Sequence, residues 1–157
     1  WPDSVTADLR IQRSEGQVND YFNIRLNRCD VVVTVKGGFL VREPGPRYTL
    51  HGTEGSFIKY GIDPQEEALK QGRSPVEAGW GEEDERYWGT LNTQIGGLHY
   101  RGKIETLPGN YMAFFDNLHQ AVRHDKKLAV PAEQGINVIR IIEAAKESSE
   151  GNRVVKM

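Results

Sequence analysis

The sequence has little cysteine, no excess of basic residues and no long apolar run. Its one cysteine among 157 residues excludes an internal disulfide and a cysteine-rich metal site, and is typical of a reducing compartment. Lys and Arg total 20 against 22 Asp and Glu, whereas nucleic-acid-binding proteins usually carry a basic excess. No run approaches the roughly 18 apolar residues of a membrane span. We therefore expect a cytoplasmic protein with neither nucleic acid nor a membrane as partner.

Complete catalytic and cofactor motifs are also missing. His119 and His124 lie five positions apart on a predicted helix, and metal-binding pairs on helices need spacings of three or four. Gly37-Gly38 and Gly96-Gly97 lack the strand-to-helix context of a nucleotide-binding turn. We expect no metal site, no cofactor site and no catalytic residues within these 157 residues.

Strand patterns fill the first half of the chain. Residues 5–13 and 21–26 alternate apolar and polar side chains, the period of a half-buried strand. Residues 31–35 are all β-branched, which favours a central strand. Residues 48–51 and 56–60 flank two turn glycines, for which we expect positive φ. Together these patterns predict one antiparallel meander.

The middle of the chain is rich in Pro, Gly, Glu and Gln. A short helix is predicted over residues 64–70 and an acidic loop over 79–85, and Trp80 and Trp88 indicate that this excursion is docked. After this excursion, strands are predicted at residues 91–95 and 98–104. A short final strand or tail is predicted at residues 153–157.

The last third predicts two helices. Asn110 is a suitable N-cap for the first helix. The second helix begins at Pro131, and Gly151 is the residue expected to end it in a left-handed conformation. Their apolar stripes are Met112, Phe115, Leu118 and Val122, and Val138, Ile141, Ile142 and Ala145. Such stripes require burial. The expected fold is a single α+β domain, residues 1–157, with a largely antiparallel open β-sheet and two C-terminal helices packed on one face.

Six polar residues are candidates for the substrate side of a site. Pro44 and Pro46 stiffen a loop that carries Arg42, Glu43 and Arg47, so presenting these charges costs less entropy. The alternative is a sheet corner in which either arginine pairs with Glu43. The other three candidates are Lys59, Tyr60 and Asp63, for which exposure at a strand end is the alternative.

Five segments of the sequence resemble the C-terminal domain of the Gfo/Idh/MocA family, the glucose-fructose oxidoreductases and inositol dehydrogenases. They are residues 41–47 (VREPGPR), 50–57 (LHGTEGSF), 60–66 (YGIDPQE), 88–92 (WGTLN) and 107–111 (LPGNY). The resemblance extends over almost the whole chain. It implies a parent oxidoreductase that uses NAD or NADP on a sugar, polyol or related hydroxyl compound.

The resemblance also implies what this chain lacks and what it contributes. The family's glycine fingerprint, its Glu-Lys-Pro lysine and its catalytic Asp and His lie upstream of the position matching Trp1. The chain starts with Trp1 and not with Met, so we expect a piece of a longer protein that is inactive alone. Its partners would be an N-terminal Rossmann domain, a small-molecule substrate and a second copy, the last bound through the open sheet face that carries Tyr21, Asn23 and Arg25.

Two other functional classes stay open from the sequence. One is a free-standing, non-catalytic β-sheet module for dimerisation or interaction. The other is an independent small-molecule enzyme that uses Arg42, Glu43 and Arg47, which would have activity without a cofactor domain.

Overall fold

The computed structural model describes all residues from Trp1 to Met157. The chain folds into two structural units. The first unit comprises Trp1–Glu43 and Ala129–Met157, and the second comprises Pro44–Leu128. In chain order the elements are β1 (Ser4–Arg10), β2 (Tyr21–Arg28), β3 (Val31–Gly38), β4 (Tyr48–Gly52), β5 (Gly55–Lys59), α1 (Gln65–Lys70), β6 (Gly89–Ile95), β7 (Leu98–Ile104), α2 (Met112–His124), α3 (Ala132–Gly151) and β8 (Val155–Lys156).

The first unit is an antiparallel sheet of order β3-β2-β1-β8 covered by α3. Alternation along β1 directs Val5 toward the helix, where it is 0% exposed. Ala144, Ala145 and Val155 complete a small apolar core. The small alanines let the helix backbone approach the sheet closely.

Two serines of α3 complete the sheet edge where β8 ends. β8 pairs only with Ser4 and Val5 of β1. Further along β1, the backbone N–H of Ala7 donates to Ser148 Oγ at 3.0 Å and that of Leu9 to Ser149 Oγ at 3.0 Å. Backbone amides near the core must be paired, so these hydroxyls replace the missing strand.

The second unit is an antiparallel sheet of order β4-β5-β6-β7 with α1 and α2 outside it. Gly96 and Gly97 join β6 to β7 with φ of 57° and 81°. Positive φ at both positions of a two-residue turn matches the right-handed twist of the flanking strands. None of the helices in the structure is long and apolar enough to cross a membrane.

The predicted α+β class is confirmed. The prediction that the strands form one meander is wrong, because they belong to two separate sheets. The eight strands form two sheets. The prediction of a central strand at residues 31–35 is wrong, because β3 is an edge strand whose valines remain 45% to 56% exposed. A β-branched run fits an edge strand as well as a central one.

The hairpin of β4 and β5 is confirmed, but the predicted role of its glycines is wrong. Neither Gly52 nor Gly55 has positive φ. Gly55 is required for close approach instead: a Cβ there would lie 2.6 Å from the carbonyl oxygen of Asn92.

The helix predictions hold in part. Asn110 Oδ1 accepts the backbone N–H of Ala113 at 3.0 Å, which confirms its capping role. The left-handed residue after α3 is Asn152, with φ of 47°, and not Gly151. Of the two stripes, that of α3 meets the sheet through Ala145, whereas the stripe of α2 remains 39% to 75% exposed.

Candidate functional site

A cleft of about 480 Å³ opens in the second unit between the end of β5 and the start of α2. Its lining combines apolar surface with polar side chains, which include Arg47, Lys59, Asp63, Glu83, Thr106 and Tyr111. Its volume lies within the range of small-molecule sites. The cleft is therefore the candidate functional site of this unit.

Lys59 and Glu83 form a largely buried ion pair in the cleft wall. Their side chains are 13% and 4% exposed. The Lys59 ammonium also donates to the carbonyl oxygen of Tyr87 at 2.9 Å, and Thr106 Oγ1 donates to Glu83 at 2.6 Å. The charge of Lys59 is thus compensated by the protein, and this lysine holds the wall together.

Gln65 joins three segments behind the cleft. Its Nε2 donates to both carboxylate oxygens of Asp63, at 3.1 and 2.9 Å. Its Oε1 accepts from Trp80 Nε1 and from the backbone N–H of Tyr111, both at 2.8 Å. The side chain is 0% exposed. The β5–α1 loop, the long excursion and the start of α2 therefore meet at one carboxamide.

Two glycines permit this meeting. Gly81 has φ of +75°, and a Cβ there would lie 2.0 Å from the carbonyl oxygen of Gly109. The backbone N–H of Gly109 donates in return to the carbonyl oxygen of Gly81 at 3.1 Å. Any side chain at Gly81 would separate the excursion from the segment that leads into α2.

Arg47 supplies a free cation at the cleft. Its backbone N–H extends the β4–β5 pairing by donating to the carbonyl oxygen of Lys59 at 2.8 Å. Its exposed guanidinium forms no ion pair in the second unit. Glu66, also at the cleft, is held by Lys70 at 2.8 Å, and this ion-pair hydrogen bond lowers the pKa of Glu66.

The structure brings together three of the six residues predicted from the sequence: Arg47, Lys59 and Asp63. The Tyr60 side chain is 50% exposed and does not line the cleft. Arg42 and Glu43 belong to the first unit, where both are exposed and form no ion pair with each other.

Sequence reasoning missed Gln65, Glu83, Thr106 and Tyr111. Gln65 and Glu83 lie within runs of polar residues, where a buried side chain has no distinguishing pattern. The useful signal was the pair of tryptophans, and their predicted docking is confirmed. Trp80 Nε1 donates to Gln65, and Trp88 Nε1 donates to the carbonyl oxygen of Glu83 at 3.3 Å.

A dinucleotide does not fit the glycine pairs of this chain. Gly37-Gly38 ends the edge strand β3, and Gly96-Gly97 turns β6 into the antiparallel β7. A dinucleotide site needs a glycine turn that opens a helix, so that backbone N–H groups meet the pyrophosphate. The structure also shows no cluster of three or more His, Cys, Asp or Glu residues that would hold a metal ion.

These features define an α+β domain with a ligand-sized cleft that carries charged side chains, and its glycine pairs form no dinucleotide-binding turn. The family model for the C-terminal alpha/beta domain of the oxidoreductase family, Gfo/Idh/MocA, matches residues 4–157. The chain belongs to this family, as its C-terminal domain.

Two curated relatives and two solved structures illustrate the similarity. Scyllo-inositol 2-dehydrogenase (NADP(+)) IolW of Bacillus subtilis is 40% identical over 99% of this chain and 44% of its own length. The Escherichia coli oxidoreductase YdgJ, which is uncharacterized, is 36% identical over 95% of this chain and 42% of its own.

The solved structures agree in fold. YvaA of Bacillus subtilis, described as an oxidoreductase, superposes with a TM-score of 0.95 at 40% identity, covering 99% of this chain and 46% of that one. An oxidoreductase from Bacillus cereus gives 0.89 at 33% identity, with 99% and 46% covered. The chain thus spans less than half the length of the curated relatives it matches.

Proposed function

We propose that the chain is the substrate-binding and dimerisation domain of an NAD(P)-dependent oxidoreductase that acts on a sugar, polyol or related hydroxyl compound. The observation that carries the proposal is the cleft of the second unit with its charged side chains Arg47 and Asp63, together with membership of the family. The similarity to a scyllo-inositol dehydrogenase supports a polyhydroxylated substrate.

The cleft offers complementary groups for such a substrate. Arg47 has an uncompensated guanidinium whose N–H groups donate to hydroxyl oxygens, and the Asp63 carboxylate accepts from hydroxyl groups. Lys59 is engaged by Glu83 and shapes the wall. In this proposal the residues 1–157 orient the substrate, whereas NAD or NADP and the acid/base lysine belong to an N-terminal Rossmann domain, so the isolated chain has no activity.

Steady-state kinetics of the full-length oxidoreductase test whether this domain binds the substrate while the N-terminal domain binds the dinucleotide. The Arg47→Ala variant removes donors to the substrate and should raise the KM for the hydroxyl substrate about tenfold, with unchanged affinity for the dinucleotide. Arg101→Ala, an exposed arginine on β7, is the matched control. An unchanged KM, or a loss of dinucleotide affinity instead, would overturn the proposal.

We further propose that two copies associate through the sheet face of the first unit opposite α3. The apolar side chains of β1 and β2 face the helix, so alternation places Tyr21, Asn23 and Arg25 on the other face. Arg25 Nε donates to Asn27 Oδ1 at 3.1 Å on that face.

A cytoplasmic location remains a prediction from the single, exposed Cys29.

Sedimentation equilibrium tests the association. Arg25→Glu reverses a charge on the proposed face and should weaken the dimer at least about tenfold. Arg140→Glu makes the same change on the exposed side of α3 and should leave the dimer intact. Equal effects of the two variants would contradict this interface.

A further inference from the structure

The buried Gln65 is a group that the proposed substrate contacts do not use. It is the largest fully buried side chain in the protein, and its amide nitrogen and its carbonyl oxygen both have hydrogen-bond partners. The donors face one carboxylate, that of Asp63, and the acceptor faces two N–H groups. A carboxamide presents both functions at one position without a change of protonation.

We propose that Gln65 is a positioning residue of the cleft. It fixes the Asp63 carboxylate at the cleft wall and links it to Trp80 and to Tyr111, the residue that precedes α2. The inference rests on the proposed function, because the cleft is taken as the substrate site. Gln65 itself does not line the cleft, so it acts through Asp63 and Tyr111, which do.

The surroundings make the identity of this side chain matter. Residue 65 is fully buried, and its neighbour Gly109 leaves no free space: a Cβ on Gly109 would lie 2.3 Å from both Gln65 Nε2 and Asp63 Oδ2. Displaced groups therefore have nowhere to move without shifting the backbone of residues 109–111. A substitution that disrupts this pairing is therefore expected to displace both Asp63 and the start of α2.

The Gln65→Glu variant keeps the size and the acceptor oxygens but replaces the amide donors with a second carboxylate facing Asp63. Repulsion between two adjacent carboxylates in a buried site disfavours ionisation of both, so the second proton is lost only above a raised pKa, where the pair no longer has a donor. Besides Asp63, the charged side chains that line the cleft are those of Arg47, Lys59, Glu66 and Glu83, and the Arg73 guanidinium lies over the Trp80 ring. Below the raised pKa a protonated carboxyl again donates to its neighbour, and the native arrangement returns.

The test follows the Trp80 indole N–H and the Tyr111 backbone N–H of the chain by ¹H–¹⁵N NMR as the pH changes. In Gln65→Glu both signals should be displaced near about pH 8 and should return toward their wild-type positions as the pH falls to about 5. Gln71→Glu is the matched control, because Gln71 is exposed and donates to Glu67 at 3.1 Å. Signals of Gln65→Glu that are as unperturbed as those of the control would overturn the proposal.

A second variant keeps the test decisive if Gln65→Glu fails to fold. Asp63→Asn combined with Gln65→Glu restores an amide–carboxylate pair with its polarity reversed, while carboxylate oxygens remain for Trp80 and Tyr111. The double variant should fold and show both signals near their wild-type positions at neutral pH. A double variant as perturbed as the single one would refute the positioning role.

A kinetic readout connects the pairing to the substrate. With scyllo-inositol as probe, Gln65→Glu should raise the KM of the full-length oxidoreductase about tenfold near about pH 8, less at lower pH. A wild-type protein that does not act on this or another hydroxyl compound would refute the proposed function. The NMR comparison would still decide whether Gln65 positions Asp63 and α2.

Discussion

The two units hold themselves together by different means. The buried apolar side chains Val5, Ala144, Ala145 and Val155 all belong to the first unit, whereas the second unit buries the polar side chains of Gln65 and Glu83. The first unit is a helix packed on a sheet by small apolar groups. The second depends on polar side chains that cross-link its loops around the cleft. Apolar packing thus characterises the first unit, and polar cross-links characterise the unit that contains the candidate site.

The contrast has an energetic consequence. Loss of an apolar group costs roughly in proportion to the area it buried. Loss of one partner of a buried polar pair leaves the other without water or a hydrogen bond, which costs more per atom removed. Single substitutions in the two units should therefore differ in size.

The largest effect is expected at the buried ion pair of the second unit. Glu83→Ala leaves the Lys59 ammonium, 13% exposed, without its counter-charge, and should lower the free energy of unfolding by about 3 kcal/mol. Urea denaturation followed by tryptophan fluorescence measures it. Glu66→Ala, in the exposed pair with Lys70, is the control and should lose far less, because an exposed ion pair contributes little to stability. Similar losses would mean that burial of the pair is unimportant.

The apolar core of the first unit should come next. Val5→Ala removes two methyl groups from a 0% exposed side chain and should lower the free energy of unfolding by about 2 kcal/mol. Val31→Ala removes the same atoms from a residue that is 56% exposed, so its effect should stay below about 0.5 kcal/mol. Circular dichroism during urea unfolding distinguishes them, and equal losses would show that α3 does not seal this core.

A smaller effect is expected where α3 completes the sheet edge. Ser148→Ala removes the acceptor for the Ala7 N–H and the hydroxyl that donates to the carbonyl oxygen of Arg153. The loss should be about 1 kcal/mol, and hydrogen exchange at Ala7 should quicken. Ser14→Ala, at an exposed loop position, should change neither quantity. Unchanged exchange at Ala7 in Ser148→Ala would contradict this role.

The smallest effect concerns pH. The backbone N–H of Gln12, at 2.6 Å, and then the Arg13 side chain lower the pKa of Asp20. Its contribution to stability is therefore present above the unfolded value of about 3.9 and is lost as the pH falls through the folded-state pKa. Asp20→Asn should melt a few degrees below the wild type at neutral pH, and the gap should close in acid. A gap that does not narrow as the pH falls would assign the effect to packing.

The predictability of the two units follows the same contrast. Periodic apolar residues predicted β1, β2, α3 and the hairpins, because burial of one face leaves a regular pattern. The pattern does not say which strands pair, so the split into two sheets was missed. It also does not say what covers a stripe, and the stripe of α2 stays exposed.

The candidate site was harder to predict. Arg47, Lys59 and Asp63 were found because charged residues flank the hairpin. Gln65 and Glu83 were not, because their importance arises from contacts with Trp80 and Thr106, which are distant in sequence. Polar cross-links of this kind have no period, and only the folded chain reveals them.

The most direct test of the central claim, that this domain carries the substrate side and not the dinucleotide side, is calorimetric titration of the 157-residue chain with NAD⁺ and with NADP⁺. The account predicts no detectable binding heat for either dinucleotide. Tight binding of one of them by the isolated chain would contradict it.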